Sequence, residues 1–126
     1  MLTEILTHPL LPIVTGILGF FMGHRFALWR DRRNEFNAAS EILFVDLEKQ
    51  RVSPSVHSKE PNEMSFAVFR RHLHGRQRCA FDQAVEAYKK ANSDYTPIDE
   101  FAFYQHRDPD KVRACAEALI RFTRRK

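Results

Sequence analysis

The longest unbroken apolar stretch runs from Leu10 to Leu28 (LLPIVTGILGFFMGHRFAL), and shorter apolar stripes at helical spacing follow it. At the helical rise the long stretch spans about 28 Å, close to the hydrocarbon thickness of a bilayer. Inside it Thr15, Gly19, Gly23 and Ala27 recur every fourth residue. That spacing stacks four small residues on one helix face, where a second helix can approach closely. Pro9 and Pro12 stand at the start, where a missing N–H costs a helix least. From Ile13 to Ser53 the only helix breakers are glycines, which membrane helices tolerate, so one helix is expected to continue out of the apolar stretch. Phe36, Ala39, Leu43 and Leu47 carry on one face of it. Ile42, Phe44 and Val45 widen that face, and the whole sector is expected to be buried against other helices.

Further along, residues 51–62 (RVSPSVHSKEPN) combine two prolines with three serines and read as a surface loop. Met64 to Leu73 predicts a short helix closed by Gly75 as its C-cap. A second helix is predicted over Gln77 to Ala91, where Phe81, Ala84, Val85 and Tyr88 form an amphipathic stripe. The aromatic stretch from Asn92 to Arg107 either begins a short helix at Thr96, Pro97 and Asp99 or forms a packed loop. The last helix is signalled by Asp108 as N-cap, Pro109 at the first position and Asp110 near the positive end of the dipole. Its buried stripe would be Val112, Cys115, Ala116, Leu119 and Ile120. No strand-like alternation and no Asn-Gly turn stand out. The expected fold is all-α, with one transmembrane helix continuing into a cytoplasmic bundle of three or four helices. In residue terms, 1–9 would be a short external N-terminus, 10–29 the transmembrane helix and 30–126 the cytoplasmic helical domain.

Charge decides between an anchor and a cleaved signal. The first nine residues, MLTEILTHP, contain no Lys or Arg, whereas Arg25, Arg30, Arg32 and Arg33 come at the far end of the apolar run. A signal peptide carries its charges the other way round and ends in a small-residue cleavage site, which is missing here. Lys and Arg favour the cytoplasmic side of a span, so the N-terminus is expected outside and the body in the cytoplasm of a cell with an inner membrane. Trp29 would sit at the inner headgroup level, with Arg30, Arg32 and Arg33 beside it in a charged collar. His24 and Arg25 lie inside the run. They either snorkel to the inner interface or line a polar path between packed helices. Cys79 and Cys115 would then face a reducing compartment, as small apolar fillers and not as a disulfide.

Candidate chemistry is sparse. The net charge is +4, and Arg70, Arg71, His72, His74, Arg76 and Arg78 form a basic patch. The patch suits anionic lipid headgroups; a phosphate or RNA site is the sharper alternative. The aromatics near it are spaced for a core and not for base stacking, so nucleic acid is not the expected partner. His72 and His74 are two apart and diverge on a helix, and no Cys/His ligand spacing occurs, so neither metal nor cofactor is expected. No nucleophile motif is present, three of the four glycines lie in the apolar run, and the carboxylates fit helix caps. Catalysis is not expected.

The segment GHRFALWRDRRNEFN, from Gly23 to Asn37, resembles the membrane exit of small proteobacterial single-pass proteins in which an apolar helix precedes an Arg-Asp-Arg-Arg collar and Glu-Phe-Asn. FRRHL and FDQAVEAY resemble their later segments. The resemblance implies a topology and no activity. The layout is also similar in outline to membrane-anchored helical effectors of bacterial antiviral systems. Arg51 and His57 resemble the Arg-spacer-His pair of HEPN-type ribonucleases, although Ser53 and Pro54 interrupt the helix between them. Three functions are therefore carried forward. The first is a membrane-anchored interaction protein that self-associates through its transmembrane helix and meets a protein partner through its body. The second is an oligomeric pore-forming or toxic effector in antiviral defence. The third is a membrane-tethered RNA-binding or HEPN-like module.

Overall fold

The computed structural model describes residues 10–56, 60–98 and 104–124. The expected external N-terminus and His57 lie outside the described residues. Helix α1 covers Leu10–Val52, 43 residues without a break. The chain divides into two units, Met1–Glu35 and Phe36–Lys126. In the first, every residue from Leu10 to Glu35 is exposed. The helix there is long and apolar enough to cross a membrane.

The second unit is all-α, as the stripes predict. The C-terminal part of α1 buries Phe36, Ser40, Leu43, Leu47 and Gln50, a spacing of alternating fours and threes that keeps them on one face. The Ser40 hydroxyl donates to the Asn37 carbonyl at 2.8 Å, so its burial leaves no donor stranded. Helix α2, Glu63–Arg71, starts where the Asn62 side chain accepts a hydrogen bond from the Met64 N–H at 3.2 Å. It buries Phe66 and Phe69. Helix α3, Gly75–Ser93, buries Phe81, Val85, Tyr88 and Ala91. Helix α4, Pro109–Ile120, begins as expected: the Asp108 carboxylate accepts from the Lys111 N–H at 3.0 Å and Pro109 occupies the first turn. It buries Val112, Ala116 and Leu119, with Cys115 and Ile120 half-buried beside them. A 3₁₀ turn, Arg121–Thr123, then brings Phe122 against Phe81 at 5.6 Å between ring centroids.

Aromatic rings form the spine of this core. Phe36 meets Phe69 at 5.5 Å, and Phe69 meets Phe81 at 5.3 Å. Phe66 touches both Phe81 and Tyr88 at 6.3 Å. The tilted geometries are those the ring quadrupoles favour. The spine therefore joins α1, α2, α3 and the final turn through side chains that each bury a large apolar area.

Four local expectations are corrected. Gly75 does not cap α2 but opens α3, and its backbone is outside the left-handed region. His72 ends α2 in a right-handed conformation, its N–H reaching the Phe69 and Arg70 carbonyls, so no left-handed residue is needed. The aromatic stretch contains two short strands, β1 (Tyr95–Pro97) and β2 (Tyr104–His106), paired antiparallel with Tyr95 opposite His106. Tyr95 packs diagonally on Tyr104 at 5.2 Å, and Arg107 closes the open end by donating its N–H to the Asp94 carbonyl at 3.0 Å. Ile42, Phe44 and Val45 do not join the core and remain 61%, 41% and 45% exposed, because the face of α1 that is covered is the one carrying Phe36, Ser40, Leu43, Leu47 and Gln50. Cys79 is exposed and fills no core position.

Candidate functional site

On α1 the small-residue stripe is open. A Cβ added at Gly19 or Gly23 would meet nothing within 4 Å. The Thr15 hydroxyl donates back to the Leu11 and Pro12 carbonyls, at 2.7 and 3.1 Å, so it needs no partner across a helix interface. Arg25 stands two positions from both Gly23 and Ala27, which turns it about 160° away from each around the helix. His24 flanks the stripe and stacks on Phe20, with ring centroids 6.3 Å apart and planes 4° from parallel. At the end of the apolar run the Arg33 guanidinium lies 5.8 Å from the centre of the Trp29 ring, a cation–π contact one turn on. Arg30 and Arg32 make no ion pair among the described residues.

The basic patch is not a free cluster. Arg70 grips Asp82 in a bidentate pair, Nε to Oδ1 at 2.7 Å and Nη2 to Oδ2 at 2.8 Å, and so ties α2 to α3. Hydrogen bonds from Arg70, and its charge, hold the Asp82 carboxyl below the usual carboxylate range and raise Arg70 in turn. Arg78 donates to the Leu73 carbonyl at 2.7 Å and to the Arg71 carbonyl at 3.3 Å, which staples the turn between the same helices. His72 sets its ring edge-on to Phe36 at 6.5 Å. Arg71, His74 and Arg76 are left exposed. Half of the patch thus does internal structural work, and no group of three His, Cys, Asp or Glu able to hold a metal occurs among the described residues.

Buried polar groups form a second feature that sequence reasoning missed. The Tyr88 hydroxyl and both ring nitrogens of His106 have no hydrogen-bond partner among the described residues. Burial, then the charges of Glu60 and Asp46, push the Tyr88 phenol well above its ordinary range. The Asn92 amide donates to the Glu60 carboxylate. Stripe spacing marks such residues as core-facing but says nothing of whether their polar atoms find partners.

A third feature lies on the uncovered side of α1. Phe44, Val45 and Val52 floor an apolar groove edged by Lys49. A more polar cavity adjoins it, sharing Phe44 and Glu48 and carrying Arg51, Arg121 and Arg124. Glu48 pairs with Arg51 through two hydrogen bonds, which lower the carboxyl and raise the guanidinium. The Arg51 carbonyl, in the last turn of α1, accepts from Arg113 of α4 at 3.0 Å. Arg51 is therefore occupied at both ends, as part of the joint between α1 and α4. Comparison with protein-family models, with curated proteins and with solved structures gives no match.

Proposed function

We propose that this chain is a single-pass, membrane-anchored helical interaction protein without catalytic activity. Its anchor sits in a bacterial inner membrane with the N-terminus outside and the helical body in the cytoplasm, and it self-associates through α1. The observation that carries this reading is the fully exposed apolar helix with an open small-residue face from Thr15 to Ala27. In lipid such a face gains its energy from close backbone packing, since no hydrophobic drive separates helix from acyl chain. The collar Arg30, Arg32 and Arg33, all on one side of the span, supports the orientation.

The position of Arg25 supports an anchor over a pore. Copies packed through the small stripe would turn Arg25 outward, where it snorkels to the headgroups and does not line a shared interior. The engagement of Arg70 and Arg78 within the body likewise supports a structural role over phosphate binding. Crosslinking in native membranes tests self-association. Gly19→Ile with Gly23→Ile is expected to abolish the crosslinked oligomer, whereas Phe21→Leu, on the opposite side of the helix, leaves it intact. An oligomer that survives both glycine replacements would remove the stripe from the account.

A further inference from the structure

Arg25, Trp29 and Arg32 share one face of α1, turned away from Gly23 and Ala27 of the small-residue stripe. At 3.6 residues per turn Arg25 and Arg32 differ by about 20° around the helix and by about 10 Å along it, with Trp29 between them. Both arginines are exposed. Neither makes an ion pair among the described residues, although Asp31 and Glu35 follow closely in sequence. Arg33 is engaged instead with the Trp29 ring, 5.8 Å from its centre, and that contact steadies an indole that is 64% exposed. Every Cα–Cβ bond leans toward the helix N-terminus, which here is the direction of the apolar run. Arg32 therefore leans toward the level of Trp29. Arg25, inside the run, leans deeper still, where an uncompensated guanidinium is costly.

Two unpaired guanidiniums thus bracket the level of Trp29, about 6 Å from Arg25 and about 5 Å from Arg32 along the axis, within an arginine side chain's reach from either side. Guanidinium forks match phosphate oxygens, and the indole N–H adds a donor at the same height. We infer that this face holds the phosphodiester of an anionic phospholipid between Arg25 and Arg32, with its acyl chains along Leu18, Phe21 and Met22. Those three side chains are 56%, 61% and 58% exposed on the same side of the helix. A lipid is the source because Arg25 lies below the interfacial indole, at a depth where a phosphate arrives only with acyl chains attached. A phospholipid without an ammonium of its own is favoured, because its net charge compensates the two arginines. A second copy fits less well, because an isologous contact through this face would set Arg25 and Arg32 against their own counterparts. The site rests on reading α1 as a membrane anchor, and it leaves the small-residue face free.

Trp29 is the single tryptophan of the chain and stands at the proposed site, so its fluorescence reports occupancy. The test uses the full chain in phosphatidylcholine vesicles doped with phosphatidylglycerol or phosphatidylcholine whose acyl chains are brominated and quench indole on contact. Brominated phosphatidylglycerol is expected to quench at lower mole fraction, with an apparent association constant at least about fivefold above that of brominated phosphatidylcholine. Arg25→Gln with Arg32→Gln is expected to erase the preference. Arg30→Gln removes the same charge at nearly the same depth, but Arg30 stands about 140° around the helix from Arg25, so the preference is expected to survive. Equal quenching of the native chain by the two lipids would overturn the inference and leave the anchor in place. An equal loss of preference in Arg30→Gln would overturn it too, since only the summed charge of the collar would then matter. So would loss of the preference to inorganic phosphate at constant ionic strength, which assigns the arginines to a soluble anion. Absence of quenching by either lipid would put Trp29 outside the bilayer and overturn the anchor reading along with the site.

Discussion

Tyr88 and Phe69 sit in the same core and make opposite demands on it. Both are buried, yet the phenol brings a hydroxyl that meets no partner among the described residues. An unmade hydrogen bond costs the desolvation of the group, and exchanging the residue for an apolar one of the same shape recovers that cost. The raised phenol follows from the same burial, with Glu60 and Asp46 adding to it, so the hydroxyl remains protonated and a charged phenolate plays no part. Tyr88→Phe is therefore expected to leave thermal stability unchanged or to raise it by up to about 1 kcal/mol. Phe69→Ala removes a ring packed between Phe36 and Phe81 and is expected to cost about 3–5 kcal/mol. Thermal melts followed by circular dichroism compare the two directly. A large loss in Tyr88→Phe would mean that the hydroxyl is held by a hydrogen bond.

Between elements, the contacts that matter join helices through side chains far apart in sequence. The Arg70–Asp82 pair clamps α2 to α3. A carboxyl whose folded pKa lies below its unfolded one contributes stability that is complete above the unfolded value, about 4, and that disappears as pH falls through the folded value. Stability is thus expected to decline below that pH, and Asp82→Asn should lower stability at neutral pH and flatten this part of the acid profile. Both side chains are about half exposed, with relative accessibilities of 49% and 44%, so salt screening trims the effect. Gly75 gives a second element-scale prediction. As the first residue of α3, with open space at its Cβ position, it should accept alanine with a gain of about 0.5–1 kcal/mol. A left-handed cap would instead lose stability, so one melt decides between the two roles. These cases also mark what the sequence could reveal. The stripe Phe81, Val85, Tyr88 and the Asp108–Pro109 start were legible because helix periodicity and capping are local. The β1–β2 pairing was hidden because three-residue strands are too short to show alternation and their partners are set by the fold. Phe44 and Val45 were misread because hydrophobicity marks what gains from burial, not how many helices are available to cover it.

At the scale of the whole molecule, the membrane reading makes a claim about sides that the exposed Cys79 can report. Cys79 lies in the first turns of α3, within the body, and both cysteines are free. Cys115 is half-buried against the core. A Cys115→Ser background leaves a single, exposed reporter thiol. If the collar arginines hold the body on the cytoplasmic side, a membrane-impermeant maleimide should leave Cys79 unmodified in intact spheroplasts and modify it fully in inside-out vesicles. Detergent should make it reactive in both, which shows that the membrane and not the fold supplied the protection. Modification in intact spheroplasts would reverse the orientation. Release of the protein from membranes by alkaline carbonate would remove the span itself, since a helix that crosses the bilayer withstands that wash while a surface-bound one does not. Retention in the carbonate pellet together with one-sided labelling of Cys79 is the combined outcome expected of a helix that is long and apolar enough to cross a membrane and carries its arginines at one end.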